Sequence, residues 1–208
     1  SQNTPVDLGQ LAKKPGDQTV AELIEDFASP LPVRRTDAQE ELLRRGPKGA
    51  LALKHLLDDE AVSMAIETWS VWTLGRMSLT DASLERYFAR QAAVGSVNRR
   101  IQSLRILADR RRRRASDAKM PTVVVNCLND PLARIRFAAI QAMRRAKEAA
   151  YVNELVQQLA REDDRVVFYA GWQALRLLVD AQTRRGWLND KRPQVRLASM
   201  LALAEDHQ

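Results

Sequence analysis

Apolar side chains in this chain recur with a helical period. Val152, Leu155, Val156 and Leu159 fall at i, i+3, i+4 and i+7, which places them on one face at 3.6 residues per turn. Ile135, Ala139, Ala142 and Met143 repeat the stripe, as do Phe168, Trp172, Leu175 and Val179. Ala138, Ala139 and Ala142 are small enough to let neighbouring helices approach closely. The punctuation agrees with this layout. Asp130-Pro131 predicts an N-cap followed by proline in the first turn. Thr19-Val20-Ala21-Glu22 has capping-box spacing at the start of a first helix. Gly46-Pro47 and Gly75 mark expected turns between helices.

The stripes belong to a repeat. The clearest unit runs from Asp130 to Met143, Asp-Pro-Leu-Ala-Arg-Ile-Arg-Phe-Ala-Ala-Ile-Gln-Ala-Met. With Arg136 as its marker, the equivalent positions are Arg35, Glu67, Arg100, Arg136, Phe168 and Arg196, spaced 32, 33, 36, 32 and 28 residues apart. Six units near 33 residues account for almost the whole chain. Each reads as two helices, the marker helix first, and the sixth unit ends at Gln208 after one helix. One such pair cannot bury its apolar face alone, whereas stacked pairs share a continuous core. The expectation is an all-α solenoid of about six helix pairs, the last incomplete, over residues 19–208. Residues 1–18, with Pro5, Gly9, Pro15 and Gly16, read as an extension docked on the first repeat.

Composition narrows the chemistry. A single cysteine among 208 residues excludes an intrachain disulfide framework and a cysteine-based zinc site. Two histidines are poor material for a metal centre, and no apolar run approaches the length needed to span a bilayer. Nor does the N-terminal stretch carry the apolar segment of a secretory signal. The net charge of +7 is unevenly spread: −3 over residues 1–60, +7 over 61–120 and +3 over 121–208. Arginines outnumber lysines 26 to 7. The candidate partner-binding residues are therefore Arg99, Arg100 and the unbroken run Arg110, Arg111, Arg112, Arg113 and Arg114. Guanidinium groups suit carboxylate or phosphate recognition, and a local positive field attracts an acidic partner.

The Asp130–Met143 unit resembles the first helix of a HEAT repeat: a turn with Asp-Pro, then Ile-Arg, then an alanine-rich apolar helix. The likeness extends over roughly residues 19–208. It implies a right-handed α-α superhelix of the HEAT or armadillo type, with Glu67 and Phe168 departing from the marker arginine. Val33–Gly46 and Trp72–Arg76 are similar to HEAT arrays in large bacterial multidomain proteins, which pair the array with a β-propeller dehydrogenase-like domain and a cytochrome c-type domain. That resemblance implies a fragment of a longer, exported polypeptide. The chain itself has no Cys-x-x-Cys-His for haem attachment. HEAT-like di-iron hydroxylases need repeated His-Glu pairs, which this sequence lacks.

The remaining candidates read mostly as structure. His55 is expected at a helix surface and His207 in the C-terminal tail. Cys127, within Val123–Leu128, is expected to be a buried structural thiol. Trp69 and Trp72, with Phe168, Tyr169 and Trp172, read as repeat packing, with a stacking platform as the sharper alternative. Asp58-Asp59-Glu60 and Glu162-Asp163-Asp164 are expected to cap following helices. There is no phosphate-binding loop, dinucleotide fingerprint or nucleophile elbow. The function expected is a non-enzymatic scaffold that binds a protein or neighbouring domain, with no catalytic residue, cofactor or metal. The alternative is nucleic-acid binding of the HEAT-like DNA glycosylase type, with Glu67 beside Trp69 as the nearest analogue. A third reading is a spacer between catalytic domains.

Overall fold

The computed structural model describes residues 13–58, 62–113 and 119–206. Among them every regular element is a helix: α1 (Val20–Glu25), α2 (Pro32–Arg44), α3 (Pro47–Asp58), α4 (Met64–Met77), α5 (Ser83–Val94), α6 (Val97–Arg113), α7 (Val123–Asn126), α8 (Ala133–Ala146), α9 (Val152–Leu159), α10 (Arg165–Leu178), α11 (Ala181–Gly186) and α12 (Pro193–Glu205). The chain is an all-α helical repeat, divided into one unit to Asp81 and a second from Ala82. No described helix is long and apolar enough to cross a membrane.

In the first unit α1 packs on α2 and α3 on α4, while α2 and α4 lie side by side. Leu23, Phe27, Leu42, Leu53, Leu57 and Leu74 are fully buried between them. The capping box at Thr19 is formed: the Glu22 amide donates to Thr19 Oγ1 at 3.2 Å, and the Thr19 amide to Glu22 Oε2 at 2.6 Å. Gly46, at φ 56°, makes the turn from α2 into α3. Gly75 makes no turn. It lies buried within α4, where the expected break is absent because the apolar pattern continues to Met77. Of the leading segment, residues 13–18 are described, and the Arg45 guanidinium donates to the Gln18 carbonyl at 2.6 Å, holding this stretch on the end of α2.

In the second unit the pairs are α5/α6, α7/α8, α9/α10 and α11/α12. The marker helices α6, α8, α10 and α12 stack in one row, each against the next. A marker helix is thus the second member of its pair, preceded by its partner rather than followed by it. The partner is often short: α1, α7 and α11 have only six, four and six residues. Each then tightens into a 3₁₀ turn, at Asp26–Ala28, Cys127–Asn129 and Trp187–Asn189.

The chain leaves those three turns by one shared device. The side chains of Ser29, Asp130 and Asp190 accept the amide two residues on, at 3.2, 2.9 and 2.9 Å. Markers Arg35, Arg136 and Arg196 then donate back to the carbonyls of Ser29, Asp130 and Asp190. Asp130 is therefore not the N-cap. That position is Leu132, which has no side-chain cap, and Asp130 holds the turn ahead of the helix.

A second regularity governs how closely the helices approach. Three residues after each marker stands a small buried residue: Ala38, Ser70, Ser103, Ala139, Gly171 and Ser199. At Gly171 an added Cβ would press on the Leu159 side chain, so glycine lets α9 and α10 approach closely here.

Candidate functional site

The arginines singled out from sequence do not act as one patch. At 100° per residue a helical run of like charges fans around the axis. Arg110 turns inward, 2% exposed, and its Nε lies 2.8 Å from Glu85 Oε2 on α5. Arg111 is half-buried with Nε 3.7 Å from Glu148. Arg112 and Arg113 face solvent, and Arg114 lies outside the described residues. Arg99 is half-exposed in the first turn of α6. Arg100 is committed to structure: it donates to the Ala92 carbonyl at 3.0 Å and forms an ion pair with Asp130. Arg100 and Arg110 are thus struts, and only Arg112 and Arg113 of the described run are fully available.

Other polar groups from the sequence are also structural. Glu162 does not cap a helix. It is buried, receives both Nε and an Nη of Arg136 at 2.9 and 2.7 Å, and bonds Gln158. This contact raises the Arg136 guanidinium further above its ordinary pKa. Asp164 does cap α10, accepting from the Val166 and Val167 amides at 2.9 and 3.0 Å. Asp163 is solvent-exposed beside them, and Asp58 ends α3, while Asp59 and Glu60 lie outside the described residues. Around the Arg136–Glu162 pair is a polar cavity of about 330 Å³ between α8 and α9.

Cys127 is buried, with Sγ 3.7 Å from the Ala92 carbonyl, and burial pushes its thiol pKa up, against nucleophilic use. His55 is exposed on α3, and His207 lies outside the described residues. Trp69 stacks on Phe27 with centroids 5.9 Å apart and lies beneath Arg35, so it serves packing. Trp172 is buried, with Tyr169 edge-on at 5.1 Å. Among the described residues no group of three or more His, Cys, Asp or Glu is placed to hold a metal.

A different surface emerges from the row of marker helices. The residue after each marker in the second unit is large and apolar: Ile101, Phe137, Tyr169 and Leu197. In the first unit the same position is Thr36 and Thr68. Ile101 and Phe137 are half-exposed, whereas Tyr169 is 56% exposed and Leu197 also faces solvent. One turn back on α10, Val166 is 63% exposed. These side chains sit beside the buried stripe rather than on it, so the packing of the pairs leaves them exposed or only partly covered.

Between α6, α8 and α10 the row opens into a cavity of about 410 Å³. Ile101, Ala133, Phe137, Ala138, Val166 and Val167 give it an apolar lining, joined by Arg105, Arg134, Gln141 and Asp164. Arg105 and Arg134 are both exposed. Sequence reasoning missed this site because Ile101, Phe137 and Val166 lie off the core stripe and Arg105 and Arg134 lie outside the arginine run. The readable signal was the repeat register itself, which puts Ile101, Phe137, Tyr169 and Leu197 at one position.

No family model matches the sequence, and no curated protein matches it. Among solved structures, the X-ray structure of the Escherichia coli protein YibA is similar in fold. At 15% identity it superposes with a TM-score of 0.57, covering 99% of this chain and 77% of that one. The likeness shows the helical-repeat fold.

Proposed function

We propose that this protein is a non-enzymatic scaffold that binds another protein or a neighbouring domain through the exposed face of its second unit. The observation that carries the reading is the row of apolar side chains at one repeat position, Ile101, Phe137, Tyr169 and Leu197, presented on stacked helices rather than buried between them. Stacked repeats hold such a row rigidly, so little ordering entropy opposes docking. Arginines at Arg105, Arg112, Arg113 and Arg134 add a positive field and favour an acidic partner. Cys127, Glu162 and Trp69 are engaged in packing and turn closure, which supports a binding rather than a catalytic role. The likeness of Val33–Gly46 and Trp72–Arg76 to arrays in large bacterial multidomain proteins supports a place beside other domains of one polypeptide.

Position-specific photo-crosslinking tests this. A photoreactive residue replacing Tyr169 or Leu197 should give discrete protein adducts in the native host. The same residue replacing exposed Val33 or Leu51 in the first unit should not. Equal labelling from all four positions, or none, would overturn the reading. Substituting Arg112→Ser with Arg113→Ser should lower the adduct yield at Tyr169 without lowering the melting temperature.

A further inference from the structure

We infer that the cavity between α6, α8 and α10 receives a short acidic peptide segment bearing a large aliphatic or aromatic side chain. This rests on the scaffold reading above and names the chemistry of the partner. The volume, about 410 Å³, lies in the range of sites that take an organic group rather than an ion, and fits one or two large side chains. Most of its lining is apolar, with Phe137 half-exposed and Val166 63% exposed. Burying such surface is favourable, so a ligand side chain that fills the cavity adds to affinity and gives the site a preference for large apolar groups.

The rim decides the sign of charge. Arg105 rises from α6 and Arg134 from the first turn of α8. The one carboxylate in the lining, Asp164, is held by its own helix, its Oδ1 accepting the Val166 and Val167 amides at the positive end of α10. Two guanidinium groups against that one carboxylate leave the lining net positive. Along α6, Ile101, Arg105 and Arg112 share one face at spacings of four and seven residues, so the cationic edge runs on past the cavity. Gln141, also in the lining, offers an amide able to donate to and accept from a peptide backbone. A nucleic-acid backbone matches the arginines but leaves the apolar lining unfilled, so a peptide uses more of the site.

The test is fluorescence anisotropy on the whole protein. The probe is a labelled twelve-residue peptide of Asp and Glu around a central Leu-Phe pair. Controls are the same peptide with Ser-Ser at the centre and a labelled twelve-nucleotide single strand. The acidic Leu-Phe peptide should bind, and the Ser-Ser peptide should bind at least tenfold more weakly. Arg134→Glu and Arg105→Glu should each weaken binding about tenfold. Arg90→Glu, the same charge change at an exposed site on α5, should leave it unchanged. Equal binding of both peptides, equal loss in Arg90→Glu, or tighter binding of the single strand would overturn the inference. Absence of any peptide binding would overturn it too, while adducts at Tyr169 would then leave the scaffold reading standing.

Discussion

At the scale of single residues the molecule is governed by where a side chain falls around its helix. The Arg110–Arg114 run reads as one patch in sequence, yet successive residues point 100° apart, so Arg110 is buried and Arg112 and Arg113 are exposed. No run of identical residues carries that information. The small residue three places after each marker was legible in principle, since the repeat alignment already contained it. Gly171 shows its consequence most sharply. Alanine improves helix propensity over glycine by about 1 kcal/mol, but here its methyl would press on the buried Leu159 side chain, which would have to shift within the core. Overpacking of this kind costs about 1–3 kcal/mol and outweighs the propensity gain. Gly171→Ala should therefore lower the urea midpoint, and adding Leu159→Val should restore most of it. A stabilised single variant would show that the α9–α10 crossing is looser than described.

At the scale of elements, helix existence was readable and helix order was not. The stripes located α8, α9 and α10, but α1, α7 and α11 are too short to show a period, and three turns tighten to 3₁₀. That is why the marker helix reads as first in its pair when it is second. Besides the buried apolar contacts, a polar device ties each short element to its long one: a turn side chain on the amide two residues on, and an arginine on the carbonyl behind it. Arg136 carries the heaviest share, because it also closes on buried Glu162. Arg136→Ala leaves that carboxylate without its cation and should destabilise by about 3 kcal/mol. Arg136→Ala with Glu162→Gln should cost clearly less, a coupling read from a double-mutant cycle in urea.

The first unit offers the acid-side counterpart at Glu41. Hydrogen bonds from Arg44 and Arg45 lower its pKa from 4.5 to about 2. A carboxylate with a depressed folded pKa stabilises above its unfolded value, and the gain is lost as pH falls through the interval down to the folded one. Stability should be flat in this term at neutral pH and decline between about 4.5 and 2. Glu41→Gln should flatten that decline relative to wild type, seen as a shallower fall of the urea midpoint. The same fall in both proteins would show that Arg44 and Arg45 do not hold Glu41 in the way described.

At the scale of the whole molecule the proposed function belongs to a row of repeat positions, not to a cluster. The sequence periodicity implied stacked helices but not which side chains stay off their core, because Ile101, Phe137, Tyr169 and Leu197 are apolar like the core they flank. Only the packing of α5, α7, α9 and α11 behind the row shows that Tyr169 and Leu197 stay exposed and Ile101 and Phe137 only partly covered. The cavity draws all its lining from residues 101–167, within the second unit, and that unit has its own core in Leu84, Phe88, Leu104, Leu128, Ile135 and Leu155. In repeat architectures each pair depends on its nearest neighbours. Residues 82–208 expressed alone should therefore be helical by circular dichroism, unfold cooperatively, and bind the acidic Leu-Phe peptide within a few-fold of the whole chain. If the fragment folds but loses the peptide, the first unit contributes to the site. If it does not fold, the two units are one cooperative body, and the boundary at Asp81 marks a change of register rather than an independent half.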